Sequence, residues 1–236
     1  MRHSARRPVF LTGFAPALIA MLIVLSITGY MRADIRYTTS FSQNTADAVA
    51  AVQRAVELEP YEPAYHRRKA EVLVQFLSEN PSHGNRQNTL ETIRRTVALS
   101  VALNPYDWRN YQSAADVLQH LYELYQEPSY LLEAISYSTL AIQHNPHNID
   151  LYLARGSIFA LAQRYDSALN DYLHFIEAAE DSWPVYLAAA DTAVMAHDED
   201  TAQRLLKTVI EECRDCLLYT SPSPRDRTRP RMPASA

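Results

Sequence analysis

Apolar positions recur at helical spacing along most of this chain, and the pattern changes character only at its two ends. Three segments close alike: AVELEP at residues 55–60, LSVALNP at residues 99–105 and AIQHNP at residues 141–146. Each reads as an amphipathic helix stopped by proline, which has no backbone N–H to donate and restricts the residue before it. The three prolines lie 45 and 41 residues apart. Both spacings exceed a 34-residue helical hairpin, so insertions of 11 and 7 residues are expected. Upstream, residues 9–31 carry no charge and follow Arg2, Arg6 and Arg7. At about 1.5 Å per residue this run is long enough to cross a hydrocarbon core of roughly 30 Å.

The pattern therefore predicts a basic flank at residues 1–8, a transmembrane helix at 9–31 and a juxtamembrane connector at 32–45. A solenoid of about four hairpins plus a half-repeat follows at 46–212, then a disordered tail at 213–236. A cleaved leader is disfavoured, because the best-placed cut, after Ala33, has Met31 three positions before the bond. An uncleaved anchor is expected. Arg32 and Arg36 at its far end partly offset the N-terminal arginines, but His3 and the free amine favour a cytoplasmic N-terminus, with the solenoid on the outer, periplasmic or extracellular side of a bacterial cytoplasmic membrane.

The clearest hairpin spans residues 149–182 and carries Tyr152, Gly156, Phe159, Tyr165, Ala168 and Tyr172. Gly156 and Ala168 are expected where the two helices cross, since small side chains allow close approach. Asp166 or Ser167 is expected to cap the second helix. An offset of 34 residues finds Tyr186, Ala190, Ala202 and Leu206 at matching places, with Asp198 and Asp200 in the turn. Earlier, Trp108, Tyr111 and Ala115 match a first helix and Ala134 and Ala141 a second, with the extra residues around 121–129. Tyr65 and Ala70 begin a degenerate hairpin whose turn is read over residues 78–89 and whose second helix has Ile93 where a small residue is expected. These residues resemble the tetratricopeptide repeat over residues 46–212. The resemblance implies an all-α, right-handed superhelix of hairpins whose first helices line a concave surface that receives a protein or peptide.

Composition supports this and removes other classes. Only four glycines occur in 236 residues, which suits helices rather than turn-linked strands. The stretch CLLYTSPSPRD at residues 216–226 resembles translated sequencing adapter, back-translating onto a transposon end used in library preparation. Residues 216–236 are therefore set aside. They hold four Arg and one Asp, so 18 basic and 26 acidic side chains remain, a net charge of −8, or about −11 beyond the anchor. Such a surface repels phosphate backbones, and no nucleic-acid partner is expected. The pair Cys213 and Cys216 loses its second member to the same segment, leaving no redox or zinc motif. His144 and His147 straddle Pro146 with no acidic residue in ligand register, so neither metal nor cofactor is expected.

Aligning the hairpins places Arg67, Glu71, Arg109, Gln112, Asp116, Gln119 and Asp150 on the concave face, the candidate partner-binding residues. A solvated face with no ligand stands beside that reading, and most of the 15 tyrosines read as repeat core. No phosphate loop, nucleophile elbow or catalytic carboxylate pair occurs, so the expected function is a non-catalytic, membrane-anchored interaction scaffold. A second resemblance keeps another class open. A spanning helix, Arg32 and Asp34, then hairpins ending in Pro60-Tyr61 and Pro105-Tyr106, is similar to the C-terminal part of O-antigen ligase and polymerase-like membrane proteins. That implies a catalytic part upstream of Met1.

Overall fold

In the computed structural model the described residues are 14–41, 44–81, 84–179 and 182–220, and among them ten helices and no strand occur. The expected flank at 1–8, the first residues of the expected span and the tail beyond 220 lie outside them, as do the side chains of Cys213 and Cys216. The chain divides into two compact units, residues 1–130 and 131–236.

The first unit contains α1 (Phe14–Thr39), α2 (Thr45–Leu58), α3 (Pro63–Glu79), α4 (Arg86–Leu103), α5 (Trp108–Tyr125) and the first turn of α6 (Pro128–His144). Among the described residues α1 packs on α2, α2 on α3 and α3 on α4, and α3 also packs directly on α5. The apolar helix does not end at residue 31. No glycine or proline interrupts residues 30–39, and the helix continues to Thr39, where Ser40 Oγ donates to Tyr37 O at 2.6 Å. Its second half packs on α2: Ala33 is fully buried with Ala55 and Tyr65, and the Tyr37 and Tyr65 rings lie 5.1 Å apart. Residues 32–39, expected to belong to a connector, are thus helical and pack on α2. The first half of α1 packs on nothing described, and Leu18, Met21, Leu22, Ile23, Val24, Leu25 and Ile27 are all exposed.

The insertions lengthen helices more than loops. The 18-residue α5 and 17-residue α6 are joined through Gln126 and Glu127, so the extra residues near 121–129 mostly continue the helices. Likewise α4 begins at Arg86, shortening the turn expected over residues 78–89. Each helix following a repeat proline is pinned by one recurring bond. His66 Nε2 meets Pro60 O at 2.8 Å, Tyr111 Oη donates to Pro105 O at 2.9 Å, and Tyr152 Oη donates to Pro146 O at 3.3 Å. The partner stands six residues after the proline each time, one turn into the next helix.

The second unit contains the rest of α6, then α7 (Ile149–Leu161), α8 (Tyr165–Ala178), α9 (Trp183–Met195) and α10 (Glu199–Thr220). Phe159, Tyr172, Phe175, Val185, Tyr186 and Leu205 share one core with the small residues Ala168, Ala190 and Ala202. Gly156 faces α8 as expected, though its nearest neighbours are Tyr172 and Asp171: a methyl placed on it would sit 2.8 Å from Tyr172 Cε1 and 3.3 Å from Asp171 Cβ. Two equivalent turns, 34 residues apart, use left-handed residues, Gln163 at φ 56° and His197 at φ 61°. After each, an amide reaches back five residues, Arg164 N to Phe159 O and Asp198 N to Ala193 O, both 2.9 Å. The expected cap of α8 is corrected: Arg164 is the N-cap and no side chain caps the helix, while Asp166 lies in the first turn. Asp198 does cap α10, accepting from Thr201 N at 3.1 Å. α10 itself runs to Thr220, past the boundary at 212 and into the segment expected to be disordered.

Candidate binding groove

A groove of about 590 Å³ opens between α3 and α5, the first helices of two successive hairpins. Residues three or four apart on a helix share a face, so Glu71, Gln75 and Ser78 of α3 confront Asp116, His120, Glu123 and Leu124 of α5 across it, with Arg68 at one end. The buried side chains of Val74 and Val117 form part of its wall. Three carboxylates therefore meet one guanidinium, and that guanidinium is already engaged. Arg68 donates to Ser40 O at 3.1 Å, pairs with Glu71 at 3.4 Å and lies 4.1 Å above the Phe41 ring.

Of the residues expected to face a partner, Glu71 and Asp116 line this groove. Gln112 stands behind Asp116, donating to its Oδ1 at 2.7 Å, and Gln112 Oε1 is buried with no hydrogen-bond partner among the described residues. Burial pushes the Asp116 carboxyl up to about 6; the Gln112 bond and His120 oppose that rise, and Glu71 adds to it. Glu71 Oε1 accepts from Ser113 Oγ at 3.2 Å, tying the two helices together. Arg67 serves the fold: it donates to Asn110 Oδ1 and lies 3.7 Å from Asp107. Arg109 is exposed at the start of α5, 3.0 Å from Asp107. Burial works against the Asp107 charge, but the Arg109 amide and guanidinium outweigh it and hold that carboxyl below its ordinary value. Gln119 bonds Glu123 at 3.0 Å, and Asp150 is exposed at the N-terminus of α7 in the other unit.

Two features escaped the periodicity. Gln75, Ser78 and His120 complete the groove's polar lining, and their i+4 and i+7 spacing from Glu71 and Asp116 was the available signal. In the second unit Arg155 and Asp171 form a bidentate pair, both bonds 2.8 Å, with the aspartate side chain 2% exposed and the arginine 17%. Among the described residues no three His, Cys, Asp or Glu side chains gather as a metal site requires.

No family model matches the chain, and no curated protein sequence matches it. Solved structures do. A crystal structure of MamA superposes with TM-score 0.61 at 14% identity, covering 82% of this chain and 94% of that one. The fold is that of the tetratricopeptide repeat. YrrB, described as a TPR protein with an unusual peptide-binding site, aligns with TM-score 0.56 at 14% identity, over 79% of this chain and 85% of its own. TTC0263, a thermophilic TPR protein of Thermus thermophilus, aligns with TM-score 0.52 at 19% identity, over 85% and 94%. At these identities the likeness carries the fold, and function has to be argued from the groove.

Proposed function

We propose that this chain is a membrane-tethered, non-catalytic interaction module whose α3–α5 groove receives a segment of a partner protein. The observation carrying this is the groove itself. It lies between first helices of adjacent hairpins, where tetratricopeptide folds present their binding surface, and it combines apolar wall with Glu71, Asp116 and Glu123. A partner segment bearing Lys or Arg beside an apolar residue complements that lining. YrrB, whose description names a peptide-binding site, supports a peptide as the kind of partner.

The tether is the exposed apolar half of α1. A methyl on Gly29 would lie 3.7 Å from Glu59 Oε1, so the first hairpin begins at that level. Residues 14–28 of α1 remain below it, about 22 Å at about 1.5 Å per residue, and the charge-free sequence before them is long enough to make up the rest of a hydrocarbon core of roughly 30 Å. A cytoplasmic N-terminus and an outer hairpin region follow from the N-terminal arginines. The same juxtaposition of span and hairpins supports the alternative, a region following the catalytic part of an O-antigen ligase-like protein. An open frame upstream of Met1 encoding further apolar spans would favour it.

The test is site-specific photocrosslinking of the full chain in membranes. A photoreactive residue at His120, in the groove, is expected to give a protein adduct that Asp116→Lys abolishes, whereas the same probe at Arg95, exposed on α4, gives none. Equal adducts at both positions, or an adduct indifferent to Asp116→Lys, would refute the groove assignment.

A further inference from the structure

A second cavity, chemically unlike the groove, sits at the foot of the first hairpin. It occupies about 520 Å³ between α1 and α2 and is lined by Arg32, Ile35, Arg36, Arg54, Glu57 and Leu58. Arg32 and Arg36 are one turn apart on α1 with Ile35 on the same face, and Arg54 reaches in from α2. Among the described residues Glu57 is the one carboxylate in the lining. It pairs with Arg54 at 3.0 Å, with the two side chains 47% and 72% exposed, a geometry in which solvent leaves an ion pair weak. No ion pair or hydrogen bond joins the Arg32 or Arg36 side chain to another described residue. The cavity is thus net cationic, three guanidiniums to one carboxylate. Its apolar members, Ile35 and Leu58, are exposed beside the arginines.

Height along α1 says what such a cavity meets. Taking Gly29 as the level where the hairpin begins, Arg32 stands about 4.5 Å and Arg36 about 10.5 Å further along the helix. The polar headgroup layer adds roughly 5–8 Å to each side of the hydrocarbon core, and arginine side chains reach along a helix by several ångströms toward the interface. The Arg32 and Arg36 guanidiniums therefore fall within reach of the phosphate plane, and Arg54 lines the same cavity. A guanidinium forks onto phosphate oxygens bidentately and sheds water more readily than an ammonium.

We propose that this cavity seats the phosphate of an anionic phospholipid, with Arg32, Arg36 and Arg54 sharing its oxygens and with Ile35 and Leu58 against the glycerol and first acyl carbons. The assignment rests on the reading of α1 as a membrane anchor. A lipid held there clamps the first hairpin against the bilayer and fixes how the α3–α5 groove is presented.

The full chain is reconstituted into vesicles of phosphatidylcholine alone and of phosphatidylcholine with phosphatidylglycerol. Flotation with the neutral vesicles reads the anchor, and native mass spectrometry of protein released from the mixed vesicles reads the retained lipid. The protein is expected to float in both. Retained phosphatidylglycerol should exceed its share of the mixture, and the Arg32→Gln/Arg36→Gln variant should lower that excess at least about fivefold, the contribution of one interfacial arginine. Arg95→Gln/Arg204→Gln, which removes equal charge elsewhere, should leave it unchanged, as should inorganic phosphate in millimolar excess. Equal loss in both variants, or no preference between lipids in protein that floats, would overturn the lipid seat and leave the anchor standing. Displacement by phosphate would assign the cavity to free anions and overturn it likewise. Failure to float with neutral vesicles would overturn the anchor and this proposal together. Hydrogen exchange in α2 verifies that the variants, altered at exposed positions, retain the hairpin.

Discussion

Removing either half of the Arg155–Asp171 pair should destabilise the second unit, and the two halves should not be equivalent. Asp171 Oδ1 and Oδ2 each accept a 2.8 Å bond from Arg155, and the aspartate side chain is 2% exposed. In Arg155→Ala the carboxylate loses both charge-assisted bonds and cannot turn to water, so the cost is that of an uncompensated buried charge, about 3–5 kcal/mol. In Asp171→Ala the guanidinium is 17% exposed and still lies 5.6 Å and 5.5 Å from the Tyr152 and Phe159 ring centroids. It keeps partial access to water and its aromatic contacts, so the loss is smaller, about 1.5–3 kcal/mol for hydrogen bonds to a charged group. An apolar double variant, Arg155→Met/Asp171→Leu, should be milder than Arg155→Ala, because no buried charge is left alone. Amide hydrogen exchange along α7 and α8 reports opening of this unit separately from the rest of the chain. A loss of about 3 kcal/mol there reads as a drop in protection of roughly 150-fold, at about 1.36 kcal/mol per tenfold. Equal effects of the two alanine variants, each below about 1 kcal/mol, would refute the reasoning, because that is how a solvent-screened surface pair behaves.

Other outcomes follow from single contacts. Gly156→Ala gains about 1 kcal/mol of helix propensity but drives a methyl to 2.8 Å from the buried Tyr172 ring. Overpacking of about 1–3 kcal/mol should win, lowering protection in α7 and α8; an increase would show that the ring gives way. Gln163→Gly and His197→Gly relieve left-handed backbone at equivalent turns, and each should raise the melting temperature, consistent with about 1 kcal/mol of αL cost removed; a fall in either would contradict the turn geometry. Asp116 titrates at about 6 in the folded chain against an ordinary 3.8, so the folded state holds more protons between those values. Stability of the first unit should therefore fall as pH rises from about 4 to about 6 and level off above, and Asp116→Asn should flatten the profile. A rise over that window would reverse the assigned cause.

Much of the repeat was readable because helical hairpins are local objects. Pro60, Pro105 and Pro146 end helices for a reason contained in proline itself. The offset of 34 that pairs Tyr152 with Tyr186 and Ala168 with Ala202 also pairs Gln163 with His197, two left-handed turn residues that no residue-type rule would have singled out. Cap positions were less legible, since backbone amides close the α7–α8 turn and leave no work for the carboxylate at Asp166.

By itself the sequence determined the helices, their proline stops, the repeating unit and the acidic surface, because each depends on residues within about one turn of one another. Tertiary structure decided what those residues do. It gave the second half of α1 to the first hairpin by burying Ala33 against Ala55 and Tyr65, whereas the charges that end the apolar run at residue 31 read equally well as an irregular connector. It took Arg67 for the α3–α5 contact with Asn110, 43 positions away, and left Glu71 and Asp116 facing the groove. It joined Arg155 to Asp171 across a hairpin crossing set by Gly156. Contacts between helices depend on crossing geometry and side-chain reach, and neither is written in the spacing of residues along one helix.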